Sequence, residues 1–332
     1  MPNDELNPQR AEIIVPGSIS NLGPGFDALA VAVDVYLRVR IVETRPSAPD
    51  TVATEFIGRL PGGANRVEAA FKAARERFGR PAPGLRLQVS SDIPTRAGLG
   101  SSGAATIAGL RLYAEVANGD VDASEWLSIA TEIEGHPDNV SASLLGGIVA
   151  SCQHEDGRVM ARSWPWPSAL RFVVATPDLG VDTPKARAML PSTISLRDAV
   201  FNLQRALLLT RAVESGDFRD LREAMRDRWH QPVRAALVPG LTEALALDDP
   251  SIVGVCLCGS GPSIAALVTD GAARATALFE EIYRRLGLEC TVRTLTAHQA
   301  AGTARVGPPE ARVTSPKANV SRATSGRHQE KS

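Results

Sequence analysis

The segment PTRAGLGSSGAAT, residues Pro94–Thr106, is the most informative stretch of this chain. The residues before it, Leu85–Ser91, alternate apolar and polar side chains, which predicts a half-buried strand. Apolar residues at helical spacing then predict a helix over Ala104–Ala117. The first N–H groups of a helix have no partner within it, and glycines leave them accessible. The turn is therefore suited to binding a polyphosphate.

The same turn also has a purely structural interpretation, because small residues let a strand and a helix pack closely. The pattern GxxxxGK[ST] is absent, and the glycine spacing does not match a dinucleotide-binding turn. Two serines, Ser101 and Ser102, favour the phosphate interpretation. A hydroxyl at the start of a helix can bind Mg²⁺ or a phosphate oxygen.

Length and charge limit the classes of function. A chain of 332 residues with 44% hydrophobic and 22% charged residues predicts a globular protein of two domains. Its 36 basic and 37 acidic residues give a net charge of −1, so we expect neither nucleic acid nor a membrane surface as a partner. The polar N-terminal residues do not resemble a signal peptide, and four scattered cysteines predict buried, reduced thiols. We expect a cytoplasmic protein.

The periodicity elsewhere predicts an α+β fold with helices on one face of an antiparallel sheet. Ser124 is the expected cap of one helix, and Pro137 is expected to start a short helix that ends at Gly146–Gly147. The expected strands are Glu12–Val15, Ala30–Val42, Leu170–Ala175, Ile252–Leu257, Ser263–Val268 and Thr291–Thr296. The other expected helices are Asn65–Phe78, Ser124–Glu134, Leu196–Ser215, Arg219–Arg228, Leu241–Ala246 and Ala272–Leu286.

The motif EGHPDN, residues Glu134–Asn139, is a second candidate for chemistry. Pro137, Asp138 and Asn139 are well explained as the start of a helix. That explanation does not account for Glu134 and His136 in the same turn. A carboxylate there could bind a hard cation such as Mg²⁺.

Polar residues in three other places have both structural and functional interpretations. Asn21 and Asp27 lie in a loop rich in Gly and Pro, where such residues often bind their own backbone. Arg187 follows the sequence DTPKA at the expected start of a short helix, and Arg234 ends HQPVR. Most arginines are surface residues, but a guanidinium can also bind a carboxylate or a phosphoryl group.

Taken together, four segments resemble the homoserine kinases, a family of the GHMP small-molecule kinases. The resemblance covers residues 12 to 298 approximately, and ARAMLPSTISLRDAVFNLQRALLL (186–209) and HQPVRAALVPG (230–240) narrow it to this family. The four segments are SNLGPGFD (20–27), GLGSSGAA (98–105), EGHPDNVSASLLGG (134–147) and GVCLCGSGPSIAAL (254–267).

The resemblance implies an N-terminal α/β domain over residues 12–165, with a left-handed crossover loop for phosphate. It implies a ferredoxin-like domain over residues 166–302, and we expect a disordered tail over residues 303–332. The implied reaction transfers the γ-phosphate of ATP, with Mg²⁺, to the side-chain hydroxyl of L-homoserine, a step of threonine biosynthesis. A homodimer is a further expectation. Another GHMP kinase, acting on mevalonate or a sugar, and an inactive metabolite-binding relative remain the alternatives.

The resemblance also implies site residues. The expected metal ligands are Ser102 and Glu134, with Glu132 as a rival. The implied catalytic residues are Asn139, Arg187 and Asp138, the last as a candidate base whose alternative role is structural. The expected nucleotide-binding residues are Asn65, Pro94, Thr95, Arg96, Ala97, Gly98, Leu99, Gly100, Ser101, Ser102, Gly103 and Ala104. The expected substrate-binding residues are Asn21, Asp27, His136, Asn139, Thr183, Arg187 and Arg234.

Two features of the sequence bear on these expectations. Homoserine is a zwitterion, so Asp27 could bind its ammonium group while Arg187 and Arg234 bind its carboxylate. The phosphate loop has Thr95-Arg96-Ala97 where the family usually has a Gly-Ser-Gly run, and this difference leaves the details of nucleotide contact open.

Overall fold

The computed structural model describes residues 12–49, 51–58, 64–117, 122–299 and 304–306. In this part of the chain it has two β-sheets with helices packed against them. The predicted α+β class is confirmed.

The first sheet is mostly antiparallel and is organised around a long central strand. In order across the sheet its strands are β11, β6, β5, β2, β4 and β3, and β1 also pairs with β2. Only β3 and β4 run parallel among the described pairs. These strands are β1 (Glu12–Ser20), β2 (Leu29–Arg45), β3 (Val52–Ile57), β4 (Gly84–Ser91), β5 (Ile148–Gln153), β6 (Val159–Trp164) and β11 (Ala304–Val306).

Four helices pack beside this sheet because each has an apolar face. Tyr113 of the second helix lies edge-on to Phe71 at 5.7 Å between ring centroids and stacks on Phe78 at 6.1 Å. The third helix is capped by the Asp122 carboxylate, which accepts the N–H of Ser124, so the prediction of Ser124 as the cap was wrong. The helices are α1 (Arg66–Phe78), α2 (Ser101–Val116), α3 (Ala123–Glu134) and α4 (Asp138–Leu145).

The second sheet has four antiparallel strands in the order β10, β7, β9, β8. In chain order these are the fourth, first, third and second strands. This is the ferredoxin-like arrangement that the sequence predicted. The strands are β7 (Arg171–Pro177), β8 (Gly254–Leu257), β9 (Ile264–Val268) and β10 (Cys290–Leu295). The helices of this half are α5 (Thr183–Ala188), α6 (Leu196–Ser215), α7 (Leu221–Ala224), α8 (Gln231–Arg234), α9 (Leu241–Leu245) and α10 (Ala272–Leu286).

The structure corrects several local predictions. The helix expected over residues 219–228 is limited to α7, because the Asp217 and Asp227 carboxylates bind backbone N–H groups on both sides of it. Arg187 lies in the last turn of α5 and not at its start. Residues 304–306 form β11, although they fall in the segment expected to be disordered, and residues 307–332 lie outside the described residues.

Two further observations concern cysteines and membranes. All four cysteines are free, and Cys256 and Cys258 are buried as predicted, whereas Cys152 is exposed. Within the described ranges, none of the helices combines the length and the apolar character needed to cross a membrane.

Candidate active site

The loop expected to bind phosphate, residues 92–100, joins β4 to α2 in a conformation that two glycines permit. Gly98 and Gly100 have φ of +78° and +72°, values that favour glycine. A Cβ on Gly98 would lie 2.1 Å from the Cys258 carbonyl oxygen, and one on Gly100 would lie 2.2 Å from the Ser18 hydroxyl. The loop is therefore seated between β1 and the turn after β8, and neither position tolerates a side chain.

The start of α2 is open for an anion. Among the described residues, no side chain caps this helix, so the N–H groups of Ser101, Ser102 and Gly103 lack a capping partner. These groups and the residues from Pro94 onward line a cleft of about 1380 Å³. Ala104 does not line it, because Ala104 is buried and its N–H donates to the Gly100 carbonyl at 2.9 Å.

Glu134 ends α3 opposite the start of α2. Its Oε1 accepts hydrogen bonds from the Ser102 hydroxyl at 2.9 Å and the Thr106 hydroxyl at 2.8 Å, and it lies 3.6 Å from Nε of Arg66. Only 8% of the Glu134 side chain is exposed. Glu132, the predicted rival, points away from the cleft and pairs with Arg77 at 3.4 Å, with 61% of its side chain exposed.

Ser102 and Glu134 fit a magnesium site on geometric grounds. Two adjacent ligands of an octahedral ion with Mg–O distances of about 2.0–2.1 Å are separated by about 2.9 Å. The two oxygens are 2.9 Å apart, and both are the hard donors that Mg²⁺ prefers.

His136 and Asp138 form a pair at the start of α4. Asp138 is buried, and its Oδ1 lies 2.6 Å from Nδ1 of His136 and accepts the N–H of Asn139 at 2.8 Å. Burial alone would lower the pKa of His136, but the hydrogen bond and charge of Asp138 outweigh it, and the pKa is raised. These bonds hold the Asp138 carboxylate against the imidazole, and both side chains line the cleft.

Asn139 lies between the phosphate loop and the residues expected to hold substrate. Its Nδ2 donates to the Ser18 hydroxyl at 2.8 Å. A Cβ on Gly103 would lie 3.2 Å from the Asn139 Cβ, so the backbone of α2 is in close approach to this side chain. The position fits a residue that acts near both reactants.

Asp27 and Arg187 come together from positions 160 residues apart in the chain. Both guanidinium NH₂ groups donate to the carboxylate, each at 2.8 Å, and the hydrogen bond to Asp27 raises the pKa of Arg187. The Asn21 side chain accepts the N–H of Asp27 at 3.1 Å and donates to the Gly259 carbonyl at 3.1 Å. The loop of residues 21–27 is thereby tied to both halves of the protein.

Arg234 is 98% buried, since its exposure is 2%. Its Nη1 donates to the Gly259 carbonyl at 2.9 Å, and its Nε has no hydrogen-bond partner among the described residues. Burial, and then the charge of Arg187, lower its pKa to about 10, so Arg234 remains a cation at neutral pH. A buried cation with an unused N–H can bind an anion strongly.

Asp27, His136 and Asp138 also lie close enough to be considered as metal ligands, with ligand atoms within 4.8 Å of one another. Arg187 already places a cation on both oxygens of Asp27. The group is therefore better described as a cluster of ion pairs.

The remaining predicted residues lie in the same cleft. Thr183 begins α5, and its hydroxyl lies 3.0 Å from that of Ser260. Asn65 caps α1 by accepting the N–H of Glu68, so its side chain has a structural role as well as a place in the cleft lining.

Four further residues contact the predicted site residues and were not predicted from the sequence. Thr106 stands one helical turn after Ser102, a spacing that could have revealed it. Arg66 follows Asn65, but nothing local indicates its approach to Glu134. Phe26, whose ring lies 5.3 and 5.2 Å from the Arg187 and Arg234 guanidinium carbons, and His230, which contacts Arg234, depend on tertiary packing alone.

Comparison with protein families assigns the class. Residues 65–147 match the model of the GHMP kinases N terminal domain, and residues 209–283 match that of the GHMP kinases C terminal domain. The chain belongs to the GHMP kinases, and its fold is theirs.

Individual relatives narrow the family. The chain is 36% identical over 286 residues to a homoserine kinase of Moorella thermoacetica. The aligned region covers 85% of this chain and 95% of the relative. It is 39% identical over 261 residues to a homoserine kinase of Thermus thermophilus, and the aligned region covers 78% of this chain and 87% of the relative. The crystal structure of a homoserine kinase from Cytophaga hutchinsonii superposes with a TM-score of 0.75 at 27% identity. The superposition covers 89% of this chain and 96% of that structure's chain. Within the GHMP kinases, this chain is a member of the homoserine kinase family.

Proposed function

We propose that this protein transfers the γ-phosphate of ATP to the side-chain hydroxyl of L-homoserine, giving O-phospho-L-homoserine for threonine biosynthesis. Family membership supports ATP as the phosphate donor. The observation that carries the choice of acceptor is the charge of the pocket beside the phosphate loop.

The part of the cleft expected to bind the amino acid has charges of both signs. Asp27 and Asp138 face Arg187 and Arg234, and all four line the cleft. Charges of both signs suit a zwitterionic amino acid, whereas an acceptor with a carboxylate and no ammonium, such as mevalonate, would bring no cation to the remaining lone pairs of Asp27. Asp27 uses one lone pair on each oxygen for Arg187, so lone pairs remain for an ammonium group.

The nucleotide is proposed to bind with its phosphates at the start of α2. The N–H groups of Ser101, Ser102 and Gly103 and the positive end of the helix dipole would hold the terminal phosphates. Ser102 and Glu134 would hold Mg²⁺ there. When bound, the ion would neutralise charge on the phosphates during transfer.

The chain supplies positioning and charge for the transfer. Arg234 would hold the amino-acid carboxylate, Asp27 the ammonium group, and Asn139 would place the hydroxyl beside the γ-phosphate. The bond from that oxygen to phosphorus forms as the bond to ADP breaks, and the hydroxyl proton passes to an oxygen of the transferred phosphoryl group or to water. Such a loose transfer needs little assistance from a base, so the committed hydrogen bonds of Asp138 are compatible with activity.

The test of this function is an ADP-release assay with L-homoserine, L-serine and mevalonate in parallel. We expect kcat/KM for homoserine to exceed that for each other acceptor by about a hundredfold or more, because a lost charge pair or a misplaced hydroxyl each costs several kcal/mol. Equal turnover of mevalonate and homoserine would show that another GHMP activity is the correct one. Absence of Mg·ATP binding in titration calorimetry would favour an inactive relative.

We also propose a cytoplasmic location and a homodimer. Free thiols fit a reducing compartment. An apolar stripe on α6, formed by Leu196, Val200, Leu203 and Leu207, is 81%, 41%, 60% and 63% exposed. The residues are spaced by four, three and four positions, so they share one face of the helix. Two antiparallel copies of the stripe would bury on the order of 1,000 Å², the lower limit for a specific interface.

Leu203→Glu is expected to convert the dimer to a monomer, because it places a carboxylate at the centre of the apolar stripe. Light scattering after size-exclusion chromatography measures the mass. Leu286→Glu, on α10 and 40% exposed, is the matched control and should stay dimeric. A monomeric wild-type protein at about 100 µM, well above the Kd of most specific dimers, would refute this part of the proposal.

A further inference from the structure

His230 is a buried imidazole that the proposed reaction leaves without a role. Its exposure is 0%, and its Nε2 lies 2.8 Å from the carbonyl oxygen of Gly23. A carbonyl only accepts, so Nε2 carries the proton. Complete burial lowers the pKa of His230, although the buried Asp227 carboxylate, 3.6 Å from Nε2, acts in the opposite direction. Nδ1 faces a guanidinium, which only donates, so Nδ1 is the acceptor and the ring is neutral. Nη1 of Arg234 lies 3.3 Å from that Nδ1 and donates to it.

The two contacts of His230 join opposite walls of the amino-acid pocket. Gly23 belongs to the loop of residues 21–27, which carries Asn21 and Asp27. Arg234 ends α8, in the second half of the chain. Between them lies Phe26, whose ring centroid is 5.2 Å from that of His230 and 5.2 Å from the guanidinium carbon of Arg234.

A second buried group fixes His230 itself. The Asp227 carboxylate accepts the N–H groups of Trp229, His230 and Gln231 at 2.8, 3.1 and 2.7 Å. Nδ2 of Asn202, on α6, donates to the same carboxylate at 2.6 Å. The backbone around His230 is therefore held independently of any substrate.

We propose that His230 is a positioning residue for the amino-acid substrate. Its neutral ring ties the Gly23 carbonyl to the guanidinium of Arg234, and so sets the distance between the group that binds the ammonium and the group that binds the carboxylate. The inference depends on the proposed function, because that distance matters only for a substrate that carries both charges. The ring also orients the guanidinium of Arg234, which lines the cleft.

Three substitutions of His230 distinguish its hydrogen bond to the Gly23 carbonyl from its hydrogen bond to Arg234. His230→Phe keeps a ring against Phe26 and removes both hydrogen bonds. His230→Asn keeps an acceptor near the position of Nδ1, and His230→Gln can place an amide N–H near the position of Nε2. His154→Phe, in the turn between β5 and β6 and outside the cleft lining, is the matched control.

Steady-state kinetics with homoserine and ATP varied in turn give the test. We expect His230→Phe to raise the homoserine KM about tenfold to a hundredfold, since hydrogen bonds that involve a charged group contribute about 1.5–3 kcal/mol. The ATP KM and kcat should stay within about threefold of wild type. The homoserine KM of the His230→Asn and His230→Gln variants should lie between those of wild type and His230→Phe. The homoserine KM of His154→Phe should equal that of wild type.

Several outcomes overturn the inference. A homoserine KM within twofold of wild type for His230→Phe would do so, as would equal losses for both substrates, which indicate a general structural role. Should the Phe variant fail to fold, the Asn and Gln variants decide, and wild-type homoserine KM in both refutes the role. If the wild-type protein phosphorylates homoserine and the His230 variants have the same homoserine KM, only this inference fails. If wild type does not, the proposed function fails and this inference with it.

Discussion

Arg234→Leu is expected to raise the KM for homoserine roughly thirtyfold or more while kcat at saturation changes little. The buried guanidinium would lose a charge-assisted contact to the substrate carboxylate, and such losses amount to 2–5 kcal/mol. The contact is present before and during transfer, so its loss appears in KM and not in kcat. Initial rates of ADP release over a range of homoserine concentrations measure both constants.

The matched control for this change is Arg226→Leu. Arg226 is 59% exposed at its side chain and pairs with Glu223, away from the cleft. It should leave both constants unchanged. The role of Arg234 would be disproved by a homoserine KM that stays within a few-fold of wild type in an Arg234→Leu variant that circular dichroism shows to be folded.

Glu134→Gln is expected to lower kcat by about a hundredfold or more, with the calorimetric affinity for homoserine little changed. The amide retains an acceptor for Ser102 and Thr106 but loses the charge that would hold Mg²⁺ against the phosphates. The loss should be larger for kcat than for substrate binding, because charge neutralisation is needed most in the transition state.

Glu132→Gln is the control for the second prediction. Glu132 lies on the same helix two residues earlier and faces solvent beside Arg77. Its kcat should equal that of wild type. Comparable losses in the two variants would mean that overall charge near α3 matters and that Glu134 has no specific role.

Much of the fold was predictable because local patterns agree with the tertiary structure. The bounds of α6 and α10 match their predictions at both ends, since each has a clear apolar face and a glycine after its last residue. β3, β5 and β6 were missed. β3 has every second residue exposed, and its polar Thr54 and Glu55 weaken the alternation. β5 and β6 form a hairpin whose pairing depends on β2, distant in sequence.

The residues predicted for the site, except Ala104, line one cleft, but the contacts between them could not be predicted. The motifs around Gly98 and His136 identified residues that do line one cleft. The pairing of Asp27 with Arg187 could not be inferred, because it joins a loop of the first half to a helix of the second. The contacts of His230 could not be predicted from the sequence for the same reason. They depend on its complete burial between Gly23 and Arg234, and burial is a property of the folded chain.

The most direct test of the account is a crystal structure with a non-hydrolysable ATP analogue and L-homoserine bound together. We expect the terminal phosphates on the N–H groups of Ser101, Ser102 and Gly103, and the homoserine carboxylate on Arg234 with its hydroxyl towards the γ-phosphate. Phosphates bound elsewhere, with the turn at Gly98–Gly103 empty, would contradict the account.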